Sequence, residues 1–367
     1  MDGSLEELIK VNPLLAKVVD GQNLSADESL QLFKTIFLND EEGYHLAILL
    51  GAIHAKGETS DELLGLINTY KELTDKLNIN ASVDKITDLS STGGGSFKTI
   101  NVGTAASFIV AAVGYTVPKA SYYSITSPTG SADIFAAFGI EIAKLSKDKI
   151  EDTLNEIGIC PYFTPFINQK LANRGKLSRK LFGERKIQVR TPFHLTTNAF
   201  SPFSINHRIY GCYSKKYILT LVELFQKMGF KRSLVFSAEI GLAEISNVGK
   251  TYVVEQNGAK IKEYILTPEE LGLQIGAKES IATGGKEQNI LDFINILKGK
   301  EKGPKADLIA ANAGASLYSL EDVVTIKEGV KKAKEILNSG TPYKLLEKLV
   351  KKIGSPEMLQ TFSASRL

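Results

Sequence analysis

The sequence predicts an α/β protein in which an N-terminal helical domain precedes a larger α/β domain with a mainly parallel sheet flanked by helices. Three observations lead to this prediction. The first third of the chain has apolar residues at helical spacing and no strand pattern before about residue 83. Short apolar runs then alternate with helical segments, which is typical of a parallel sheet covered by helices. The turn signal Asn257-Gly258 joins two strand-like runs and predicts a hairpin at a sheet edge.

The segments of the first third each combine a helix start with an apolar face. "SADESLQLFKTIF" opens with Ser25 as a cap and carries Leu and Phe residues at helical spacing. "GYHLAILLGAIHAKG" and "SDELLGLINTYKEL" follow in the same manner, and the second opens with Ser60 and an acidic first turn. This part of the chain is therefore predicted to be helical.

Beyond residue 83 the pattern changes to alternating strands and helices. The runs "YTVPKAS", "SLVFSA" and "ADLIAANA" are strand-like, whereas "SADIFAAFGIEIAK" and "YILTLVELFQKMG" are helical. The longest apolar stretch, "AASFIVAAVGYTV" at 105–117, is too short to cross a bilayer and predicts a buried helix. We therefore expect no membrane contact.

Composition and charge describe an ordinary globular chain. Its 367 residues include 44 Lys and Arg against 41 Asp and Glu, which gives a net charge of +3. This balance argues against a dedicated nucleic-acid binder, which carries a strong basic excess. The two cysteines, Cys160 and Cys212, lie far apart, and no apolar leader follows basic residues at the start. We therefore expect a cytoplasmic protein.

A glycine-rich loop is the first candidate site. Three consecutive glycines lie within "DLSSTGGGSFKTIN", residues 88–101, between an apolar stretch and a predicted helix. Because glycine has no Cβ, backbone amides can converge on a phosphate there, and the helix N-terminus adds partial positive charge. The alternative is a flexible turn. The loop side chains expected to contribute are Thr92, Lys98, Thr99, Asn101 and Thr104.

A second candidate anion site is "SPTGSAD" at 127–133. Thr129, Gly130 and Ser131 precede or open a predicted helix, where exposed amides would favour an anion. Lys119 follows a predicted strand and is expected at the same end of the sheet. Simple helix capping by Ser131 or Asp133 is the alternative.

The segment from Lys170 to Arg190 is strongly basic, with eight Lys or Arg and a single Glu184. A solvated face or hinge is one interpretation, and contact with an anionic ligand is the other. Its cationic residues are Lys170, Arg174, Lys176, Arg179, Lys180, Arg185, Lys186 and Arg190.

Several of these motifs together resemble the anthranilate phosphoribosyltransferase family, within the wider class that includes nucleoside phosphorylases. "STGGGSFKTINVGT", "VPKASYY" and "PTGSAD" are similar to that family's GTGGD, NxST, KHGNR and SGSAD motifs, in the same order. "HAKGET" resembles its KGET segment and "LIAANAGASLY" its C-terminal NAA segment. The likeness covers nearly the whole chain.

The resemblance implies two domains, phosphoribosyl pyrophosphate (PRPP) and Mg²⁺ as ligands, and commonly a homodimer formed through the helical domain. The helical domain is expected at 1–75 plus about 165–205, and the α/β domain at 76–164 plus 206–367. The reaction implied is displacement of pyrophosphate from ribose by an aromatic or other nitrogen acceptor. The residues that match PRPP or phosphate positions, with Lys98 and Thr129 added from the loops, are Thr92, Gly93, Gly94, Lys98, Asn101, Thr104, Lys119, Thr129, Gly130 and Ser131.

The chain departs from the family pattern at metal and acceptor positions. Gly95 replaces the loop aspartate, and the acidic pair that holds Mg²⁺ is reduced to Glu244 beside Ala243. We therefore expect a weakened Mg²⁺ site and little or no anthranilate turnover. The acceptor pocket is assigned to Tyr122, Tyr123, Arg174, Arg179 and His194, with either arginine as the match to the family's carboxylate-binding arginine.

Two other functions stay open at this point. "STGGGSFK" also resembles the STGGVGDK loop of pyrimidine nucleoside phosphorylases, in which Lys98 would bind phosphate without Mg²⁺. The other open function is that of a non-catalytic paralogue. Such a protein would bind a phosphorylated ligand, or would bind nucleic acid through residues 170–190. Tyr122 and Tyr123 could then stack on bases, as aromatic residues do in single-strand binders.

Overall fold

The computed structural model describes residues 3–123, 129–163, 171–187 and 189–364. The chain divides into two compact units. The helical unit comprises the described residues of Met1–Lys76, Thr164–Pro202 and Leu219–Met228. The α/β unit comprises those of Leu77–Phe163, Phe203–Ile218 and Gly229–Leu367.

One segment differs from the predicted division, because 219–228 was assigned to the α/β domain and lies in the helical unit. Lys227 shows why. Its Nζ donates hydrogen bonds to Ser60 Oγ and Asp61 Oδ1, each at 2.8 Å, and so ties this segment to a helix of the first third.

The fold begins with helices and then alternates strands with helices. A π-helical turn, Arg179–Glu184, directly follows the helix Ala172–Ser178. The helices and strands in chain order are α1 (Gly3–Val19), α2 (Ala26–Asn39), α3 (Tyr44–Lys56), α4 (Ser60–Leu73), β1 (Thr87–Ser91), α5 (Val102–Ala112), β2 (Val117–Ala120), α6 (Ser131–Ala137), α7 (Lys147–Ile157), β3 (Ile159–Tyr162), α8 (Ala172–Ser178), α9 (Pro192–Thr196), β4 (His207–Gly211), α10 (Ile218–Lys227), β5 (Arg232–Ala238), β6 (Thr251–Asn257), β7 (Lys260–Leu266), α11 (Lys286–Leu297), α12 (Pro304–Ser319), α13 (Ile326–Asn338), α14 (Thr341–Ile353) and α15 (Pro356–Ala364).

The helical unit is organised by capped helices that pack closely. Ser25 caps α2 in a capping box with Glu28, as its position in the sequence predicted. The cap of α4 is Thr59, which precedes the predicted first residue Ser60 and pairs with Glu62. Each box satisfies backbone donors that would otherwise be unpaired at a helix start.

The α/β unit contains the mainly parallel sheet that the sequence predicted. Its five-stranded part has the order β1-β4-β5-β6-β7, in which β1, β4 and β5 are parallel. The β2-β3 pair is also parallel and joins β1 through a bridge between Ile86 and Thr116. The predicted hairpin is confirmed: β6 and β7 form the antiparallel edge, and Gly258 has a φ of 56° in its turn.

Helix α5 forms the centre of this unit's core. Phe108 is fully buried and contacts the ring of Phe293 edge-on, with centroids 5.9 Å apart. The prediction of a buried helix in "AASFIVAAVGYTV" is therefore confirmed. Among the described residues, no helix combines the length and apolar character needed to cross a bilayer.

The prediction of a strand in "ADLIAANA" is wrong, because this segment lies within α12. Its residues are buried around most of the helix, so the polar face that reveals a surface helix is missing from the sequence. The alanines pack closely and also favour a helix over a strand.

Candidate functional site

The glycine loop follows β1 at the carboxyl end of the parallel strands. Gly93 and Gly94 have φ values of 61° and 69°, in the left-handed region that glycine tolerates best. The amide of Thr92 donates to the carbonyl of Gly211 at 2.8 Å, and the amide of Phe97 donates to the carbonyl of Gly241 at 3.3 Å. These bonds anchor both ends of the loop to the α/β unit.

Internal hydrogen bonds use several of the amides that were predicted to face a phosphate. Besides Thr92 and Phe97, the amide of Gly93 donates to Ser91 Oγ at 3.2 Å. Among the described residues, no group accepts a hydrogen bond from the amides of Gly95 and Ser96. The loop therefore offers a smaller set of donors than three converging glycine amides would.

Lys98 folds back onto this loop and supplies a full positive charge. Its Nζ donates to the carbonyl oxygen of Gly95 at 2.9 Å. Its charge also acts on Glu244. Burial is the dominant effect on that carboxyl and raises its pKa to about 7, while the amide of Ala243 and the charge of Lys98 oppose the shift.

Gly95 packs against the backbone of the segment 241–243, and this contact explains why glycine fits there. A Cβ at position 95 would lie 2.5 Å from the carbonyl oxygen of Gly241. On the other side, a Cβ at Gly211 would lie 1.6 Å from the carbonyl oxygen of Ala243. An aspartate at position 95 would therefore require this backbone to move.

The donor set around Glu244 does not fit a dedicated magnesium site. Magnesium prefers several oxygen ligands, and carboxylates supply the negative charge. Glu244 is a single carboxyl with a raised pKa beside a lysine. Within the described parts of the chain, no three His, Cys, Asp or Glu side chains form a group that could hold a metal ion.

The start of α5 and the segment before α6 are joined by a residue that the sequence reasoning missed. Asn289, in the first turns of α11, donates from Nδ2 to Asn101 Oδ1 at 2.7 Å and to the hydroxyl of Thr129. The signal that could have found it is "TGGKEQN" at 283–289, which repeats the order of threonine, paired glycines and lysine. Thr104, in the first turn of α5, is buried.

At the second candidate site, the capping groups are used locally. The amide of Tyr122 donates to Ser131 Oγ at 3.0 Å, and the amide of Gly130 donates to Asp133 Oδ2 at 2.7 Å. The contact of Asp133 with the N-cap residue Gly130 is a helix cap, whereas Ser131 bonds to the backbone of the segment before residue 124 and does not cap α6. Residues 124–128, which include the start of "SPTGSAD", lie outside the described residues.

Lys119 lies inside the α/β unit and contacts a backbone carbonyl. Its Nζ donates to the carbonyl of Leu89 at 2.7 Å and lies 4.0 Å from Asp88 Oδ1. Arg208, which is fully buried, lies 3.9 Å from the other oxygen of the same carboxylate. Burial lowers the pKa of Lys119, with an opposing effect from Asp88. Its contact with a phosphate stays a prediction.

The predicted acceptor residues fall in both units. In the α/β unit, Tyr122 packs edge-on against Phe163 with centroids 5.0 Å apart, whereas Tyr123 is exposed. In the helical unit, Arg174 is buried and Arg179 is exposed.

Arg174 is held firmly within the helical unit. One of its terminal nitrogens donates to Thr197 Oγ1 at 2.7 Å, and its guanidinium lies 4.6 Å from the ring centroid of Phe193. His194, on α9, accepts a hydrogen bond at Nδ1 from the amide of Thr191 at 3.1 Å. Burial, then the charge of nearby Arg190, lowers the pKa of His194 to about 4, so its ring is neutral near pH 7.

Comparison with known proteins places this chain in a family. Residues 83–343 match the model described as "Glycosyl transferase family, a/b domain", and residues 12–73 match the corresponding helical bundle domain. An anthranilate phosphoribosyltransferase of Petrotoga mobilis is 34% identical over 92% of this chain and 96% of its own length. That of Methanococcoides burtonii is 33% identical over 92% of each chain.

Solved structures give the same result for the fold. Anthranilate phosphoribosyltransferase from Thermus thermophilus has a TM-score of 0.83 at 29% identity, covering 92% of this chain and 98% of its own. The Saccharomyces cerevisiae enzyme in complex with PRPP and Mg has a TM-score of 0.82 at 19% identity, covering 94% and 98%. The two family domains and the extent of these matches show that the chain belongs to the anthranilate phosphoribosyltransferase family of glycosyl transferases.

Proposed function

We propose that this protein is a phosphoribosyltransferase that transfers the phosphoribosyl group of PRPP to a nitrogen acceptor. Family membership supports this proposal, and one relative by fold was solved in complex with PRPP and Mg. The observation that carries it is the loop after β1, where Lys98 lies against Gly95 beside amides with no internal acceptor among the described residues. A phosphate would meet both a full positive charge and backbone donors there.

The proposed reaction needs positioning and charge stabilisation more than a strong base. A nitrogen lone pair forms the bond to ribose C1 while the bond to pyrophosphate breaks, and the electron pair leaves with pyrophosphate. The proton that the nitrogen then loses passes to pyrophosphate or to solvent. Positive charge develops on the ribose and negative charge on the leaving group. Lys98 and the loop amides would stabilise the leaving group, and the acceptor would be held in line by its pocket.

The acceptor that we propose is an aromatic or other nitrogen compound different from anthranilate. Tyr122 and Tyr123 stand where the resembling motif has polar residues, and Arg174 already donates to Thr197. A buried arginine with this partner would have to exchange it for a substrate carboxylate. Arg179 is the exposed alternative.

We assign no step to a protein-held Mg²⁺. In this proposal Lys98 supplies positive charge to the phosphates. In a site with the missing aspartate, that positive charge would come from a metal ion held by the aspartate. PRPP binding is therefore expected to depend less on Mg²⁺ than it would in a site with several carboxylates. Glu244, whose carboxyl is influenced by the charge of Lys98, is the residue that could contact a Mg²⁺ bound to PRPP.

Titration calorimetry with PRPP, with and without Mg²⁺, tests the donor. We expect binding in both conditions and at least tenfold weaker binding for Lys98→Ala, because that change removes a charge from the phosphate site. Lys260→Ala, an exposed lysine on β7, is the matched control and should bind as the wild type does. No PRPP binding by the wild type would refute the proposal.

Two further measurements separate the alternatives. Efficient turnover of anthranilate by the purified protein would refute the proposed acceptor while leaving the donor intact. Binding of inorganic phosphate together with a pyrimidine nucleoside, lost in Lys98→Ala, would favour a nucleoside phosphorylase.

A second candidate function is nucleic-acid binding through the basic segment of the helical unit. Lys176, Arg179, Arg185 and Lys186 are exposed there, whereas Arg174 is buried. Residues 164–170 and 188 lie outside the described residues. Affinity for a single-stranded oligonucleotide that falls steeply with salt would support this function, and affinity that does not respond to salt would exclude it.

A homodimer formed through the helical unit is part of the proposal. Leu5 and Ile9 on α1, and Tyr44 and Ile48 on α3, are exposed apolar side chains. Their burial by a second copy would remove apolar surface from water. Light scattering should give twice the monomer mass for the wild type and a monomer for Ile48→Glu. A wild-type monomer would refute this part.

The proposed cytoplasmic location is supported by Cys160 and Cys212, which are buried and form no disulfide.

A further inference from the structure

Asn289 forms a buried link between the two candidate anion loops. It lies in the first turns of α11, is 1% exposed, and uses its Nδ2 group for both Asn101 and Thr129. Asn101 immediately precedes α5, and Thr129 precedes the N-cap residue of α6, Gly130. One amide therefore fixes the spacing between two helix starts that are distant in the sequence.

The neighbouring backbone holds these segments together along a line of contacts. The hydroxyl of Thr99 donates to the carbonyl of Ile281, and Thr99 forms a β-bridge with Ala282. The amide of Thr283 donates to the carbonyl of Lys98 at 3.4 Å. The strand-like approach to α5 thus runs beside the segment that leads into α11, and Asn289 lies at the end of this contact.

The bonds of Asn289 also determine how Asn101 is oriented. Because Asn101 Oδ1 accepts from Asn289, the Nδ2 group of Asn101 points to a different side. That group has a weak contact of 3.5 Å with the carbonyl of Thr129. Asn101 therefore retains donor capacity that a stronger acceptor, such as a phosphate oxygen, could engage.

The side-chain oxygen of Asn289 indicates that this residue does more than stabilise the fold. Its Oδ1 is buried and has no hydrogen-bond partner among the described residues. An unsatisfied buried acceptor lowers stability, and an apolar side chain of similar shape would avoid that cost. The cost of the unsatisfied oxygen is offset if the two hydrogen bonds from Nδ2 are needed to orient Asn101 and Thr129.

We propose that Asn289 is a positioning residue for the phosphate-binding site, which holds Asn101 and Thr129 in the orientation that receives the anion. This inference rests on the proposed PRPP site. It extends that site to a third segment, the start of α11, which the loop motifs do not include. Asn289 itself acts through its two partners and need not touch the ligand.

The test measures the affinity of the 367-residue chain for PRPP by calorimetry. Asn289→Leu and the similarly sized Asn289→Asp are both expected to weaken binding about tenfold, as expected when a donor to a charged ligand loses its orientation. Gln256→Leu is the matched control, because Gln256 is a buried amide that bonds to Ser233, Phe230 and Gly258 in the same unit. It should reduce the melting temperature without changing PRPP affinity.

A double variant distinguishes positioning from simple loss of structure. Because Asn289 acts partly through Asn101, Asn101→Ala combined with Asn289→Leu should lose less PRPP affinity than the sum of the two single losses. Wild-type affinity in both Asn289 variants would refute the inference. So would fully additive losses in the double variant.

The same experiment separates this inference from the proposed function. Pyrophosphate serves as a second probe, because it presents the same oxygen atoms without the sugar. If the wild type binds pyrophosphate but not PRPP, the proposed function is refuted. The affinities of the Asn289 variants for pyrophosphate would then test the positioning role by itself. Failure of the wild type to bind either probe would refute both.

Discussion

Restoring a side chain at Gly95 is expected to destabilise the protein. The Cβ of Gly95→Ala would lie 2.5 Å from the carbonyl oxygen of Gly241, about 1 Å closer than an ordinary contact. The segment 241–243 has little freedom to move away, because its other side lies against Gly211 and the Gly241 carbonyl accepts from Phe97. Overpacking of this kind typically costs about 1–3 kcal/mol, and we expect about 2 kcal/mol.

Urea denaturation of the wild type and the variants measures this cost. Gly103→Ala is the matched control, because a Cβ there would lie 3.4 Å from the carbonyl of Leu89, at an ordinary distance. In α5 that change should be neutral or stabilising by up to about 1 kcal/mol. Gly95→Asp should be at least as unstable as Gly95→Ala and should not increase the Mg²⁺ dependence of PRPP binding. A stable Gly95→Asp variant with tight, Mg²⁺-dependent PRPP binding would refute the reasoning.

Three other predictions concern ionisable side chains. The pKa of His194 is about 4 in the folded protein and 6.5 ordinarily, so the unfolded chain binds this proton more readily between these pH values. The free energy of unfolding should therefore fall by about 3 kcal/mol as the pH drops from 6.5 to 4. Urea denaturation measures this change, and an equal fall in His194→Gln would contradict the assignment to His194. Lys119→Met should lower the free energy of unfolding by about 1–3 kcal/mol, because it leaves the buried carbonyl of Leu89 without its donor. An unchanged melting temperature together with weaker PRPP binding would contradict this structural role and indicate direct contact with the ligand. Glu255→Gln should lower the free energy of unfolding by about 3 kcal/mol, because it leaves Arg232 buried without a charged partner. Glu72→Gln is the control, because Glu72 pairs with Lys34 at the surface, and thermal denaturation should show no measurable change in its stability.

The parts of the fold that depend on local signals could be predicted from the sequence. Asn257-Gly258 allows one tight turn geometry, and the flanking runs have the alternation of a strand, so the hairpin followed directly. The cap at Ser25 was predictable for the same reason, since a capping box involves residues three apart. The strand predicted at "ADLIAANA" was wrong, because a helix buried around most of its surface has no periodic polar face.

The candidate site was harder to predict because it depends on contacts between distant segments. The glycine loop was recognisable as a motif, but the bonds that use the amides of Thr92 and Phe97 come from carbonyls more than a hundred residues away. The link from Asn289 to Asn101 has the same character. No local pattern reveals that Gly95 faces the backbone of 241–243, because the two segments are distant in the sequence and meet only in the folded α/β unit.

The hairpin at the end of the sheet has a consequence for behaviour at high concentration. Within the described sheet β7 has one neighbouring strand, so its outer backbone groups could template fibrillar assembly. Ile261 and Ile265 are exposed along it, but Lys260, Lys262 and Glu263 place charges on the same strand. Charged side chains on an open strand discourage edge-to-edge stacking between molecules. Neutralising both lysines should therefore promote aggregation of the folded protein while leaving its unfolding transition nearly unchanged.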